Sequence, residues 1–362
     1  MDSSVDSHTK REPGLIEFSV PQSLEGERLD RAISFASNLP RSIVATLIGR
    51  GKVSVNGVPV MRRSKTLSCG QIVEVDTADV TTDTARADLS VQFECIYFDQ
   101  HIAVINKPAG LVVHHGAGHS GGTLVDGLLA RFDILRDNAV KGALDAARPG
   151  IVHRLDKETS GLMVVGLTPQ AVERLAEQIS ARNVTRQYTA LVAGIIPEDN
   201  GVVDAPVGRS SRNPLNMCVS SSGKPAITRY RVVRRYTDPI PLSLLEVHLE
   251  TGRTHQIRVH MSSIGHSVAG DVRYGGTSWS VLPSGVLPGW DADAGRGAGK
   301  DASAGHKEAM TQEGNHPPRI FLHASRLSIE HPSTGESMDW SVSLPLELSS
   351  VLDALDARCD RS

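Results

Sequence analysis

The chain has 362 residues, 40% apolar and 22% charged, which is ordinary for a soluble globular protein and too long for one small core. A formal net charge of −3 excludes a protein that is basic throughout, so any nucleic-acid surface must be a local patch. Four scattered cysteines without a C-x-x-C pair exclude a disulfide framework and a structural zinc site, and the absence of an apolar leader or a bilayer-length apolar run leads us to expect a cytoplasmic protein with no membrane partner.

Residues 1–14 read as a solvated, disordered tail, and Leu15–Val20 as a short strand. Arg28–Asn38 carries Leu29, Ile33 and Ala36 at helical spacing, and Pro40 opens a second helix, Arg41–Gly49, that Gly49 and Gly51 end. Valines alternating around Asn56-Gly57 in Val53–Val60 predict a hairpin on a type I′ turn. From Arg28 to Lys65 there are eight basic residues (Arg28, Arg31, Arg41, Arg50, Lys52, Arg62, Arg63, Lys65) against one acid, Asp30. Such a run is either a solvated cationic face or a surface that tracks phosphates. The order helix, helix, K-V-x-V-N-G resembles the S4 RNA-binding domain, which implies an RNA-binding unit over residues 15–76. Small polar residues over 77–90 read as a linker.

The second domain, expected over 91–350, opens with strands Val91–Phe98 and Ala103–Asn106, and then N-K-P-A-G-L-V-V-H over Asn106–His114. His114, His115 and His119 lack carboxylate or cysteine company, so no metal is expected there. Thr123–Phe132 reads as a helix and Arg136–Pro149 as a loop. Next comes I-V-H-R-L-D-K-E-T-S-G, in which Arg154 and Asp156 sit two apart in a polar turn that feeds the buried strand Leu162–Leu167. A carboxylate at the mouth of a rigid strand, with a guanidinium to favour its charged form, is a plausible catalytic arrangement; the bland reading is a loop salt bridge.

Thr168-Pro169 caps a helix whose buried stripe is Val172, Leu175, Ala176 and Ile179, and Arg186–Val192 is a strand carrying Tyr188. Gly208–Lys224 is a basic loop, Ala226–Tyr236 and Leu242–Glu250 are strands, and Thr254 is placed to cap a helix through Ile257, Met261 and Ile264. His255 and His260 are five apart, not the four of a helical metal pair. Glycine- and alanine-rich residues 277–318 read as a disordered insertion, Arg319–His331 and Met338–Val342 as closing strands, and 351–362 as a C-terminal tail. Hairpin-paired strands with a few helices give an α+β fold with a largely antiparallel sheet.

Three strings, N-K-P-A-G-L-V-V-H, H-R-L-D-K-E-T-S-G and G-R-T-H-Q-I-R-V-H-M, resemble in order the motifs of the RluA-type pseudouridine synthases, over about Leu15 to Leu346. The resemblance implies isomerisation of uridine to pseudouridine without metal or cofactor. It implies Asp156 as nucleophile or charge stabiliser, Tyr188 stacked on the uracil, and Arg258 paired with Asp156. Arg154 would fill the space left by a flipped-out uridine, and His153, Arg253 and Gln256 would stand against the RNA. Lys157 and Leu162–Val165 look most like the members that act on large-subunit ribosomal RNA, which is the expected partner of a monomeric enzyme. A catalytically silent RNA-binding assembly factor, the same isomerisation on another RNA such as tRNA, and a hydrolase that uses Asp156 are the alternatives.

Overall fold

The computed structural model describes residues 9–12, 14–37, 39, 41–78, 85–115, 121–145, 147–213, 216–276, 279 and 319–359, and the side chains of 9–12 and 41–43 are not part of that description. The chain divides into two compact units, Met1–Thr84 and Ala85–Ser362.

The first unit carries β1 (Thr9–Glu12), β2 (Leu15–Ser19), α1 (Leu29–Ser37), α2 (Arg41–Gly49), β3 (Val53–Val55), β4 (Val58–Pro59) and β5 (Ile72–Asp76), with sheet order β1-β2-β5-β3-β4. Period-two alternation turns Phe18, Val53, Val55, Val73 and Val75 to one face, where they meet Leu29, Ile33, Val44 and Ile48 from the helices in one core. The expected turn is present: Asn56 and Gly57 both have positive φ, 52° and 74°. The N-terminal tail is shorter than expected, because Thr9–Glu12 pairs antiparallel with β2.

The second unit holds β6 (Glu94–Phe98), β7 (Ile102–Lys107), α3 (Leu124–Arg131), α4 (Asp133–Val140), β8 (Ser160–Gly166), α5 (Pro169–Ser180), β9 (Thr185–Ala193), β10 (Asn200–Asp204), β11 (Val207–Arg209), β12 (Met217–Val219), β13 (Ile227–Tyr236), β14 (Leu242–Leu249), α6 (Gln256–Ser263), β15 (Leu322–Glu330), β16 (Ser337–Ser341) and α7 (Leu346–Cys359). Its main sheet runs β10-β13-β14-β9-β15-β8-β7-β6, with β16 on β15. Every pairing in it is antiparallel except β15 with β8. Strands β7 and β8 are continuous apolar runs because both their faces are covered. Ile105, Met163 and Val165 pack with Leu124, Leu128 and Leu135 from α3 and α4 on one side, and Val104, Leu162 and Val164 pack with Ala171 and Leu175 from α5 on the other. The α5 cap is the expected one: Thr168 Oγ1 accepts from Ala171 N at 3.2 Å and Pro169 follows.

Ala324 of β15 pairs with Tyr188 on one side and with Gly161 on the other. Gly161 has φ +115°, and a Cβ there would lie 2.2 Å from Ala324 O, so this crossing tolerates only glycine.

Three expectations are corrected. The first part of the stretch read as a loop from Arg136 belongs to helix α4 (Asp133–Val140), which is held by burial of Leu135 in the core with α3 rather than marked by strong periodicity. The C-terminal stretch read as a tail is mostly helix α7, which buries Leu348, Val351 and Leu355 against Tyr236, Leu242 and Phe321. The cap of α6 is His255, not Thr254. The insertion read over 277–318 lies outside the described residues except for Trp279, which is buried and donates to Arg319 O at 3.1 Å.

Candidate active site

Asp156 lies in the tight loop that enters β8, and that loop is held from several sides. Leu155 beside it is buried, and Thr159 N donates back to Asp156 O at 3.1 Å. His153 Nε2 accepts from Val164 N at 3.0 Å, which fixes the loop to β8. Burial, with the charge of Arg186 behind it, pushes the His153 imidazole down to about 3, so it is neutral at working pH and free to accept. Lys107, at the end of β7, is fully buried and donates to Pro108 O, Leu111 O and Lys157 O at 2.8, 2.9 and 3.2 Å. Arg319 Nη1 donates to Glu158 O at 2.9 Å. The carboxylate therefore sits on a rigid mount.

Opposite it stands Arg258, from the first turn of α6. Its Nη1 is 3.5 Å from Asp156 Oδ2, while Nε and Nη2 grip Asp271 Oδ2 and Oδ1 at 2.6 and 2.9 Å. Burial works against the charged guanidinium, but the hydrogen bonds and charge of Asp271, then the charge of Asp156, outweigh it and raise the pKa. The guanidinium also lies 4.9 Å from the Tyr274 ring centroid.

His255 adopts φ 56°, an uncommon left-handed conformation for a residue with a side chain. Its Nδ1 is 2.7 Å from the Tyr274 hydroxyl and its Nε2 is 4.0 Å from Asp156 Oδ1. Tyr274 Oη accepts from Met217 N at 3.0 Å and has its own proton to offer His255 Nδ1; a neutral ring that takes it carries its hydrogen on Nε2, toward Asp156. Burial lowers the His255 pKa, with Asp156 opposing, and so favours that neutral form.

Tyr188 comes from the middle of β9, buried to 5% exposure on the wall of the same cleft. Burial raises its pKa, against the charge of Arg186, so the phenol keeps its proton at neutral pH. Asp156, Tyr188 and Arg258 thus line one cleft of about 510 Å³, although they stand on a loop, a strand and a helix. Five further arginines line it: Arg148, Arg154, Arg182, Arg186 and Arg253.

The expected RNA-contacting residues divide. Arg154 is exposed, with Nη1 3.4 Å from His114 Nε2. Arg253 is half-buried and donates through Nε to Pro225 O at 3.1 Å. His153 is committed to Val164 N. Gln256 is buried, with Nε2 on Ile227 O and Thr228 Oγ1 and Oε1 taking Thr251 Oγ1 and Arg253 N, so its amide serves the fold. In the first unit Arg28, Arg31 and Lys52 pair with Asp30, Glu27 and Asp76 at 2.9, 3.3 and 2.7 Å, while Arg50, Arg62 and Arg63 are exposed. The Arg41 side chain lies outside the described residues.

Sequence reasoning missed Asp271 and Tyr274 altogether, and considered His255 only as a metal ligand. The available signal was the glycine-flanked turn G-D-V-R-Y-G-G, where an acid and a phenol three apart follow a basic helix.

The profile of the family described as RNA pseudouridylate synthase matches residues 101–263. The chain is 38% identical to a ribosomal large subunit pseudouridine synthase D of Nitrosomonas europaea, over 98% of this chain and 91% of that protein. It is 38% identical to the protein of the same name in Pseudomonas aeruginosa, over 93% of this chain and 94% of the other. Against an uncharacterized RNA pseudouridine synthase, YlyB of Bacillus subtilis, identity is 35% over 94% of this chain and 98% of that protein.

Proposed function

The chain belongs to the RNA pseudouridine synthases and is an RNA-modifying isomerase, and we propose that it converts specific uridines of large-subunit ribosomal RNA to pseudouridine with Asp156 as its reactive carboxylate. The reading is carried by one observation: Asp156 lies 3.5 Å from Arg258 in the cleft that Tyr188 walls. The names of the relatives support ribosomal RNA as the substrate.

The reaction breaks the bond from N1 to C1′, turns the uracil, and forms the bond from C5 to C1′. A proton leaves C5 and one is gained at N1, so nothing is consumed. Asp156 is the nucleophile or the stabiliser of charge at the separating sugar, and Arg258 holds it in place and ionised. Tyr188 stacks on the base, keeps it from escaping, and relays the proton from C5. The nucleoside must leave its stack first, at a cost on the order of a few kcal/mol, and Arg154 at the open rim holds the vacated space. The unit Met1–Thr84 serves as an S4-type RNA-binding domain, with Arg50, Arg62 and Arg63 toward phosphates. The protein acts as a monomer in the cytoplasm.

Incubation with a large-subunit ribosomal RNA transcript, carbodiimide modification and primer extension tests this directly. Wild-type protein should leave stops at modified uridines, and Asp156→Asn should leave none at nearly unchanged RNA affinity. Stops that persist with Asp156→Asn would refute the assignment of the carboxylate. Stops on tRNA alone would refute the substrate, and binding without stops would identify an assembly factor.

A further inference from the structure

Arg186 has no role in the chemistry above, and its surroundings are unusual. It is 6% exposed, yet among the described residues it makes no ion pair. Nη2 reaches only Leu249 O and Glu250 O, at 3.4 and 3.5 Å, the outer limit of a hydrogen bond. Nε is buried without any acceptor. The nearby carboxylate of Glu250 is already taken by Arg182 and Arg229, at 2.8 and 2.6 Å. A buried guanidinium without a counterion is destabilising, and a cation left uncompensated in this way is suited to an anionic ligand that supplies the missing charge.

Two further observations say which ligand. Arg186 and Tyr188 alternate with the less buried Thr185, Gln187 and Thr189 along β9, so Arg186 faces the cleft on the same side as Tyr188, about 7 Å further along the strand. That is the reach from a stacked base to the sugar-phosphate chain beside it. The chain also carries glycine where the guanidinium needs room: a Cβ on Gly252 would stand 2.9 Å from Arg186 Nη1.

We propose that Arg186 anchors a phosphate subsite, receiving one backbone phosphate of the RNA strand beside the nucleoside that Tyr188 holds. The planar fork of a guanidinium matches a phosphodiester through two parallel hydrogen bonds, here from Nη1 and the loosely held Nη2. The inference rests on the reading that this cleft receives RNA, but not on which RNA or which uridine.

The test is binding of an oligouridylate decamer to the full-length protein across a range of KCl concentrations. Each phosphate neutralised on a single strand contributes about 0.7 to the slope of log affinity against log salt. Arg186→Met should lower that slope by about 0.7 with a melting temperature equal to or above the wild type, and Arg186→Lys should keep the slope. Gly252→Ala, which pushes the guanidinium aside, should weaken binding of the decamer. Weaker binding at an unchanged slope would mean that Arg186 meets a neutral uracil carbonyl, or only ties β9 to β14, and would overturn the proposal. So would unaltered binding by Arg186→Met, or a wild-type protein that does not bind the decamer. Since the decamer is not the natural target, a protein that fails to isomerise ribosomal RNA yet shows the slope change would refute the substrate and leave the subsite standing.

Discussion

Asp271 is 1% exposed and holds Arg258, itself 8% exposed, through two charge-assisted hydrogen bonds of 2.6 and 2.9 Å. Replacing it by alanine leaves a buried guanidinium whose nearest remaining acceptor is Asp156 at 3.5 Å. Breaking a buried pair from one side costs about 3–5 kcal/mol. Because Arg258 keeps Asp156 and the face of Tyr274, the expected loss is at the lower end, about 3 kcal/mol. Asp271 Oδ1 also accepts from Arg273 N and Tyr274 N at 3.2 and 3.3 Å, so Asp271→Asn, which keeps that oxygen for the turn and turns an amide NH2 toward Arg258 Nε, removes the charge and one of the two bonds to Arg258. All three tryptophans, Trp279, Trp290 and Trp340, lie in the second unit, so urea unfolding followed by tryptophan fluorescence reports that unit alone. Both single variants should lose isomerase activity, because an Arg258 no longer gripped by Asp271 leaves Asp156 less precisely placed. The double variant Arg258→Met, Asp271→Leu should be less destabilised than the sum of its parts, since neither member of the buried Arg258–Asp271 pair is left stranded. Stability of Asp271→Ala within about 0.5 kcal/mol of the wild type, or strict additivity in the double variant, would refute this account of the site.

Three more outcomes are expected. Lys107→Met should cost about 2–4 kcal/mol in urea unfolding, because three carbonyls lose their donor, and should lower kcat as the Asp156 loop slackens. Burial pushes Lys107 down to about 7, with the charge of Arg319 adding to it. An unfolded lysine binds its proton up to about 10.4, so wild-type stability gains with rising pH between those values, and the variant should lose that gain. His323, buried and pushed down to about 4 by burial and then by Arg319, is neutral in the folded state. Its contribution is present above about 6.5 and is lost as pH falls toward 4, at up to about 1.4 kcal/mol per pH unit; unfolding measured from pH 7 to 4 should show a shallower fall for His323→Gln. Arg154→Ala should weaken productive RNA binding while leaving Asp156 competent, and unchanged affinity with normal single-turnover rates would count against its role at the rim.

The parts of the fold legible in the sequence are those whose neighbours impose a repeat. The alternation in Val53–Val60 and the unbroken apolar run of β8 could be read because each reports which of its faces is covered. Helix α4 could not, since a single fully buried leucine, Leu135, anchors it while Ile134 and Val140 stand exposed. Helix α7 carried its stripe in Leu348, Val351 and Leu355, but the reading stopped at residue 350 and split it. In the site, Asp156 and Arg258 were each found on their own strings, and their approach to 3.5 Å supports the pairing. Asp271 and Tyr274 were hidden because their partners lie on α6 and at its N-cap, and nothing local in G-D-V-R-Y-G-G says that its acid turns back to a helix. His255 was hidden for another reason: left-handed backbone at a helix start has no signature when the residue is not glycine.

Strand β15 lies between β8, which follows Asp156, and β9, which carries Tyr188, and its Ala324 pairs with both. A growing polypeptide therefore carries Asp156 and Tyr188 long before the strand that spaces their two carriers has been made. Until translation has passed Glu330, the cleft they line has no fixed width.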